Sequence, residues 1–225
     1  EYDLFTDSPE THRQTLLARA LADVGECELA LPILSGVLAT QDDYRDAWIV
    51  QGYCQLTTER LDEAKTSFER AYQIDPQKPE IQFFLARTFS KLGDHQAATT
   101  YAQYALENGF SPHAEALRLL AAEALAIGDG ELALQQLEKL TQLENAPVDA
   151  YSDFIAAALS MKKNEEAYAK AQAAVAAHPK SAIAHDLLGW TAAVTGRNDE
   201  ARNELTKALE LDPGLESAQK RLKSL

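Results

Sequence analysis

RLDEAKTSFERAYQIDP, residues 60–76, and NDEARNELTKALELDP, residues 198–213, share one grammar. In each, an acidic pair precedes an alanine (Ala64, Ala201), apolar residues follow at helical spacing, and Asp-Pro closes the stretch. Two such segments far apart in one chain point to an internal repeat, a unit that buries its apolar face against its neighbours. Windows of 34 residues laid outward from them give 11–44, 45–78, 79–112, 114–147, 148–181 and 182–215, with His113 as one extra residue between the third and fourth.

The windows agree in detail. Position 20 is alanine throughout: Ala30, Ala64, Ala98, Ala133, Ala167 and Ala201. Position 15 is glycine in four (Gly25, Gly93, Gly128, Gly196), position 32 is proline in three (Pro76, Pro179, Pro213), and position 8 is small in five (Ala18, Gly52, Ala86, Ala121, Gly189). Glycine takes positive φ cheaply and ends a helix. Proline stops the next helix and tolerates a new start. Small residues at 8 and 20 let two antiparallel helices approach, and apolar residues at 7, 24 and 27 fill the seam. Each window therefore reads as helix–turn–helix, and the regular punctuation excludes one continuous coiled coil.

The pattern resembles the tetratricopeptide repeat (TPR) family. Trp48, Gly52, Ala64, Phe68, Ala71 and Pro76 carry the likeness in the second window, and Leu188, Gly189, Ala201, Leu205, Ala208 and Pro213 in the sixth. The resemblance covers residues 11–215 and implies an all-α fold, a right-handed superhelical α-solenoid of antiparallel helix pairs. Residues 1–10 are expected to form an N-terminal extension. Residues 216–225 are expected to form a capping helix, because Leu215, Ala218, Leu222 and Leu225 recur at helical spacing and the last repeat needs cover; a dimerisation helix is the alternative.

Several positions depart from the pattern. Pro32 falls inside a second helix and should kink it. Glu59 and Lys162 stand where glycine is expected, and Ile155 makes the fifth window the weakest match. Gln51, Gln55 and Gln82 occupy usually apolar positions and should form a hydrogen-bonded network between repeats. Ser8-Pro9-Glu10 reads as N-cap, first helical residue and early acid, and residues 1–7 as a frayed terminus or a short linear motif.

With 46% hydrophobic and 25% charged residues the chain should fold, and its net charge of −14 disfavours nucleic acid and anionic lipid as partners. No apolar run approaches the roughly 18–20 residues that span a bilayer. The chain starts at Glu1 rather than methionine, so a preceding signal or anchor stays open; a cytoplasmic location is favoured, with periplasmic and membrane-anchored ones open. Cys27 and Cys54 form no CxxC and read as buried thiols. The histidines (His12, His95, His113, His178, His185) include no pair at i, i+4, and neither a GxSxG elbow nor a phosphate loop occurs. No catalytic residue, metal or cofactor is expected. The recurrent acids at position 2 (Asp46, Glu80, Glu115, Asp149) suit the helix dipole.

In the TPR family the first helices line a concave groove, and the resemblance implies that positions 2, 5, 9, 12 and 13 point into it. Arg19, Ile49, Tyr53, Phe83, Arg87, Lys91, Arg118 and Trp190 then become the candidate contacts. Arginine and aromatic residues dominate interface hot spots, so a protein or peptide segment with acidic and apolar residues is the expected ligand. The family's carboxylate clamp for chaperone tails is absent, since Thr15, Arg19, Val50, Glu80 and Phe84 stand at its positions. The expected function is a non-catalytic interaction scaffold or adaptor, monomeric or weakly homo-oligomeric. The alternatives are a recognition domain cut from a larger enzyme or signalling protein, and a self-assembling structural protein. Trp48, at position 4, should be core; Trp190, at position 9, should face the groove, with His185 taking position 4 of its window.

Overall fold

The structure, a computed structural model, describes residues 9–225. The readings of residues 1–7 and of Ser8 lie outside these. Among the described residues there are thirteen helices and no strand. They are α1 (Glu10–Asp23), α2 (Cys27–Thr40), α3 (Arg45–Thr57), α4 (Leu61–Ile74), α5 (Pro79–Leu92), α6 (His95–Glu107), α7 (His113–Ala126), α8 (Gly130–Thr141), α9 (Val148–Ser160), α10 (Asn164–Ala177), α11 (Ala182–Val194), α12 (Asn198–Leu211) and α13 (Glu216–Lys223). The chain is an all-α helical-repeat solenoid, and its odd-numbered helices up to α11 start in steps of 34 or 35 residues. No helix among the described residues is long and apolar enough to cross a membrane.

The chain divides into two compact units, one ending at Glu123 and one starting at Ala124, so the boundary falls inside α7. Within the first unit each helix from α1 to α6 packs on the next, and α1, α3 and α5 also touch in series. Within the second, α8 to α13 pack in order, and α9, α11 and α13 repeat the serial contact. Each unit thus has a layer of odd-numbered helices and a layer of even-numbered ones.

Position 15 shows why the turns are uniform. Gly25, Gly93, Gly128 and Gly196 all have φ between +79° and +85°, and Glu59 and Lys162 adopt the same left-handed conformation at φ +59°. The repeat geometry imposes this backbone even on residues that pay roughly 1 kcal/mol for it.

The seam between paired helices is set by volume. The position-20 alanines Ala30, Ala64, Ala98, Ala133, Ala167 and Ala201 are all fully buried. Position 8 is glycine in the second and sixth windows because Phe68 and Leu205 fill the space opposite. In the fifth window the large residue sits on the other side: Ile155 is buried at position 8, and its counterpart at position 24 is the small, buried Ala171. The departure at Ile155 is therefore a swap of volumes across the seam.

Two expectations change. Pro9 is not the first helical residue; it sits at the N-cap with ψ 143°, and α1 begins at Glu10. Proline's ring fixes φ but leaves ψ free to be extended. The glutamine network lies largely inside repeats rather than between them. Gln51 Nε2 donates to Ser67 Oγ (3.3 Å), which donates to Gln55 Oε1 (2.6 Å), joining α3 to α4. Gln82 accepts from Asn108 of its own window (3.1 Å), and only its Nε2 reaches back, to the Pro76 carbonyl (2.7 Å). Pro32 lies within α2 and faces solvent, where water can take the backbone carbonyl it leaves unpaired.

One kind of surface ion pair recurs at the same register, once in the first unit and twice in the second. Glu28 pairs with Arg60 (2.5 Å), Glu131 with Lys163 (2.7 Å) and Glu165 with Arg197 (3.0 Å). Each joins the start of one second helix to the turn before the next. Exposed pairs of this kind contribute about 0–1 kcal/mol apiece, so they trim the register rather than hold the fold.

Candidate functional site

The first unit carries a pocket of about 360 Å³ on the layer formed by α1, α3 and α5. Its floor is apolar, made by Ala22, Ile49, Val50, Tyr53 and Phe84. Its rim carries both signs of charge, Arg19, Arg45 and Lys78 against Asp23, Asp46 and Glu80.

The floor is propped from the core. Phe68, fully buried beneath Gly52, stacks on Phe84 with centroids 5.3 Å apart, and Phe84 meets Tyr53 edge-on at 5.8 Å. The glycine at position 8 lets Phe68 sit close, and Phe68 in turn fixes two aromatic rings of the pocket. A rigid aromatic floor with a charged rim suits an apolar side chain flanked by polar groups.

The rim charges are unequally engaged. Arg45 donates from Nε to Asp46 Oδ1 (2.9 Å) and from a terminal nitrogen to Asp75 Oδ2 (2.7 Å). Burial works against its charge, but the bonds to Asp46 and Asp75 outweigh it and raise its pKa. Tyr44, behind this cluster, is raised by burial and then by Asp46, and its hydroxyl lies 2.8 Å from His12 Nδ1. The Lys78 ammonium stands 3.3 Å from Glu80 Oε2, yet that buried oxygen accepts no aligned hydrogen bond.

Of the sequence candidates, the pocket brings together Arg19, Ile49 and Tyr53. Phe83 is not an exposed contact: it is 4% exposed, stacks on Phe110 at 4.0 Å and packs with Ala105 and Ala116. Arg87 lies over the Phe83 ring at 5.9 Å, and Lys91 pairs with Glu59 at 2.7 Å. Arg118 is exposed and engaged within the protein. Trp190 belongs to the second unit, where it is half-buried with the Arg221 guanidinium 4.4 Å from its ring. The sequence reading missed Phe84 and Val50, both at position 6, and Arg45 and Lys78, which flank the turns into α3 and α5.

Trp48 is half-buried rather than fully core. It packs against the hydrophobic clusters of both the first and second windows and donates its indole N–H to the Asp42 carbonyl at 2.7 Å. A buried indole needs such an acceptor. His185, at the same position, is fully buried between Glu204 Oε2 (2.6 Å) and the Pro179 carbonyl (3.1 Å).

One cluster has the composition of a hydrolytic triad. Ser90 Oγ donates to Glu123 Oε1 (2.7 Å), and His95 Nδ1 lies 2.7 Å from Glu123 Oε2. The carboxylate sits in the middle, so it does not relay through the imidazole to the hydroxyl, and the arrangement gives no activated nucleophile. No cluster among the described residues has the composition of a metal site. Cys27 and Cys54 are free and buried; burial, then the neighbouring Cys27, pushes the Cys54 thiol up and keeps it protonated.

A family model described as tetratricopeptide repeat matches residues 15–79 and 154–216, and a second of the same description matches 55–122. No curated protein matches the sequence. Among solved structures, the C-terminal part of a TPR repeat-containing protein from Cytophaga hutchinsonii is similar at a TM-score of 0.77 and 15% identity, covering 93% of this chain and 84% of that one. Pseudomonas aeruginosa PilF gives 0.68 at 15% identity, with 96% and 97% covered. YrrB, a TPR protein with an unusual peptide-binding site, gives 0.67 at 18% identity, with 85% and 98% covered. At these identities the likeness shows the fold.

Proposed function

The chain belongs to the tetratricopeptide repeat family of protein–protein interaction scaffolds, and from that premise we propose that it is a non-catalytic scaffold holding a partner peptide in the groove over α1, α3 and α5. On this reading residues 11–215 are six repeats, and residues 216–225 cap the last. The observation that carries the proposal is the pocket itself, with its floor of Ile49, Val50, Tyr53 and Phe84 and its two-signed rim. Side chains on one layer of parallel helices present such a surface to an extended segment without any rearrangement of the solenoid. The peptide-binding site of YrrB, a protein of the same fold, supports the same use of a repeat array.

The test is selection from a random dodecapeptide library displayed on phage, with the immobilised full chain as bait. Tyr53→Asp places a charge on the apolar floor, so it should abolish enrichment. Because Tyr53 also packs against the core clusters around it, the variant should melt lower, and circular dichroism should show it still helical at the selection temperature. Equal enrichment by both proteins would overturn the assignment of the groove.

A further inference from the structure

We propose that the segment this groove accepts is basic and apolar: an apolar side chain on Ile49, Tyr53 and Phe84, with an adjacent lysine or arginine directed to Glu80 and Asp23. This rests on reading the pocket as a peptide groove, and it specifies the partner's charge.

The first argument is what each rim charge already does. Arg45 is held by Asp46 and Asp75, so its charge and that of Asp46 are already paired. Of the other basic groups on this layer, Lys91 pairs with Glu59 and Arg118 is engaged within the protein, while Arg87 lies over the Phe83 ring. On the rim Arg19 and Asp23 form no ion pair among the described residues, while Lys78 lies 3.3 Å from Glu80 Oε2, which is buried and accepts no aligned hydrogen bond from it. An acceptor in that state is stabilised by a donor arriving with the ligand, and a cationic donor satisfies it best.

The second argument is the field. A net charge of −14 attracts a cationic segment and slows the approach of an anionic one.

The library selection described above decides this when the enriched peptides are read for composition. Enrichment of lysine or arginine within two residues of an apolar anchor is the expected result. A selected peptide, labelled and followed by fluorescence anisotropy, should bind the Glu80→Gln variant about tenfold more weakly, the ratio for losing one charge-assisted hydrogen bond. It should also weaken as salt rises. Enrichment of neutral or acidic peptides that still depends on Tyr53 would overturn the basic preference and leave the groove intact. No enrichment over the Tyr53→Asp protein would overturn both.

Discussion

A methyl group on Gly52 would lie 2.7 Å from Cε1 of Phe68, a distance no side chain tolerates. Gly189 stands in the same relation to Leu205, with 2.6 Å to Cγ and the Ala201 carbonyl also close. The two glycines are therefore shaped by what faces them rather than by a need for unusual φ. Gly52→Ala should destabilise the protein by about 1–3 kcal/mol, the usual cost of overpacking. Adding Phe68→Leu should recover part of that loss, so a double-mutant cycle in urea should show a coupling well above the 0.3–0.5 kcal/mol typical of independent sites. Additive losses would mean that the helices simply move apart.

Lys162 pays for a left-handed turn without gaining from it. Its φ is +59° and its side chain is exposed. Lys162→Gly should raise stability by roughly 0.5–1 kcal/mol, since relief of strain exceeds the added freedom of the unfolded chain. For a chain of this length that corresponds to about 1–4 °C in melting temperature. Glu59→Gly should gain less, because Glu59 also pairs with Lys91.

In α3, α5, α11 and α13 position 4 carries an N–H donor that ties the helix to the preceding turn, whereas Leu117 and Tyr151 fill it in the fourth and fifth windows without one. Trp48 reaches the Asp42 carbonyl, Gln82 that of Pro76, His185 that of Pro179, and Gln219 of α13 that of Pro213. In every case the acceptor lies six residues earlier. Indole, amide and imidazole thus perform one task, and the tryptophan is one solution among several. His185→Gln should keep the Pro179 contact and cost little. His185→Leu should leave that carbonyl and Glu204 without a buried partner and cost about 1–3 kcal/mol by denaturant titration. Equal losses would show that shape, not the donor, matters at this position.

The repeat was legible in the sequence because each turn and each close contact spends a distinctive residue: alanine at 20, glycine at 15, proline at 32. The pocket was legible only in part. Arg19, Ile49 and Tyr53 follow from their positions in the repeat, but Phe83 shares its position with Ile49 and is buried, because Phe110, in the loop after α6, stacks on it. Nothing in the spacing announces that loop residue. The donor role at position 4 was hidden because three chemically unlike side chains fill it, and the occupancy of the rim charges depends on partners about 30 residues away, as in Arg45 with Asp75.

Trp190 illustrates the same point and supports a last prediction. Its register suggests a groove residue, yet Arg221 of α13 covers its ring, and that arginine also holds the buried Asp186, which accepts from Ser217 as well (2.6 Å). Helix α13 meanwhile seals Leu205 and Ala208 with Ala218, Leu215, Leu222 and Leu225. Arg221→Ala should therefore act as a structural lesion: it strands a buried carboxylate and should cost about 1–3 kcal/mol, less than for a fully buried pair because Arg221 is partly exposed. Asp186→Asn in the same protein should restore much of this, since the neutral amide still accepts from Ser217 and no charge is left unpaired. Peptide selection by Trp190→Ala should match the unmodified chain, whereas Tyr53→Asp should not. If Trp190→Ala instead lost the enriched peptides while Arg221→Ala left stability unchanged, α13 would be a displaceable cover over a second contact surface rather than a cap.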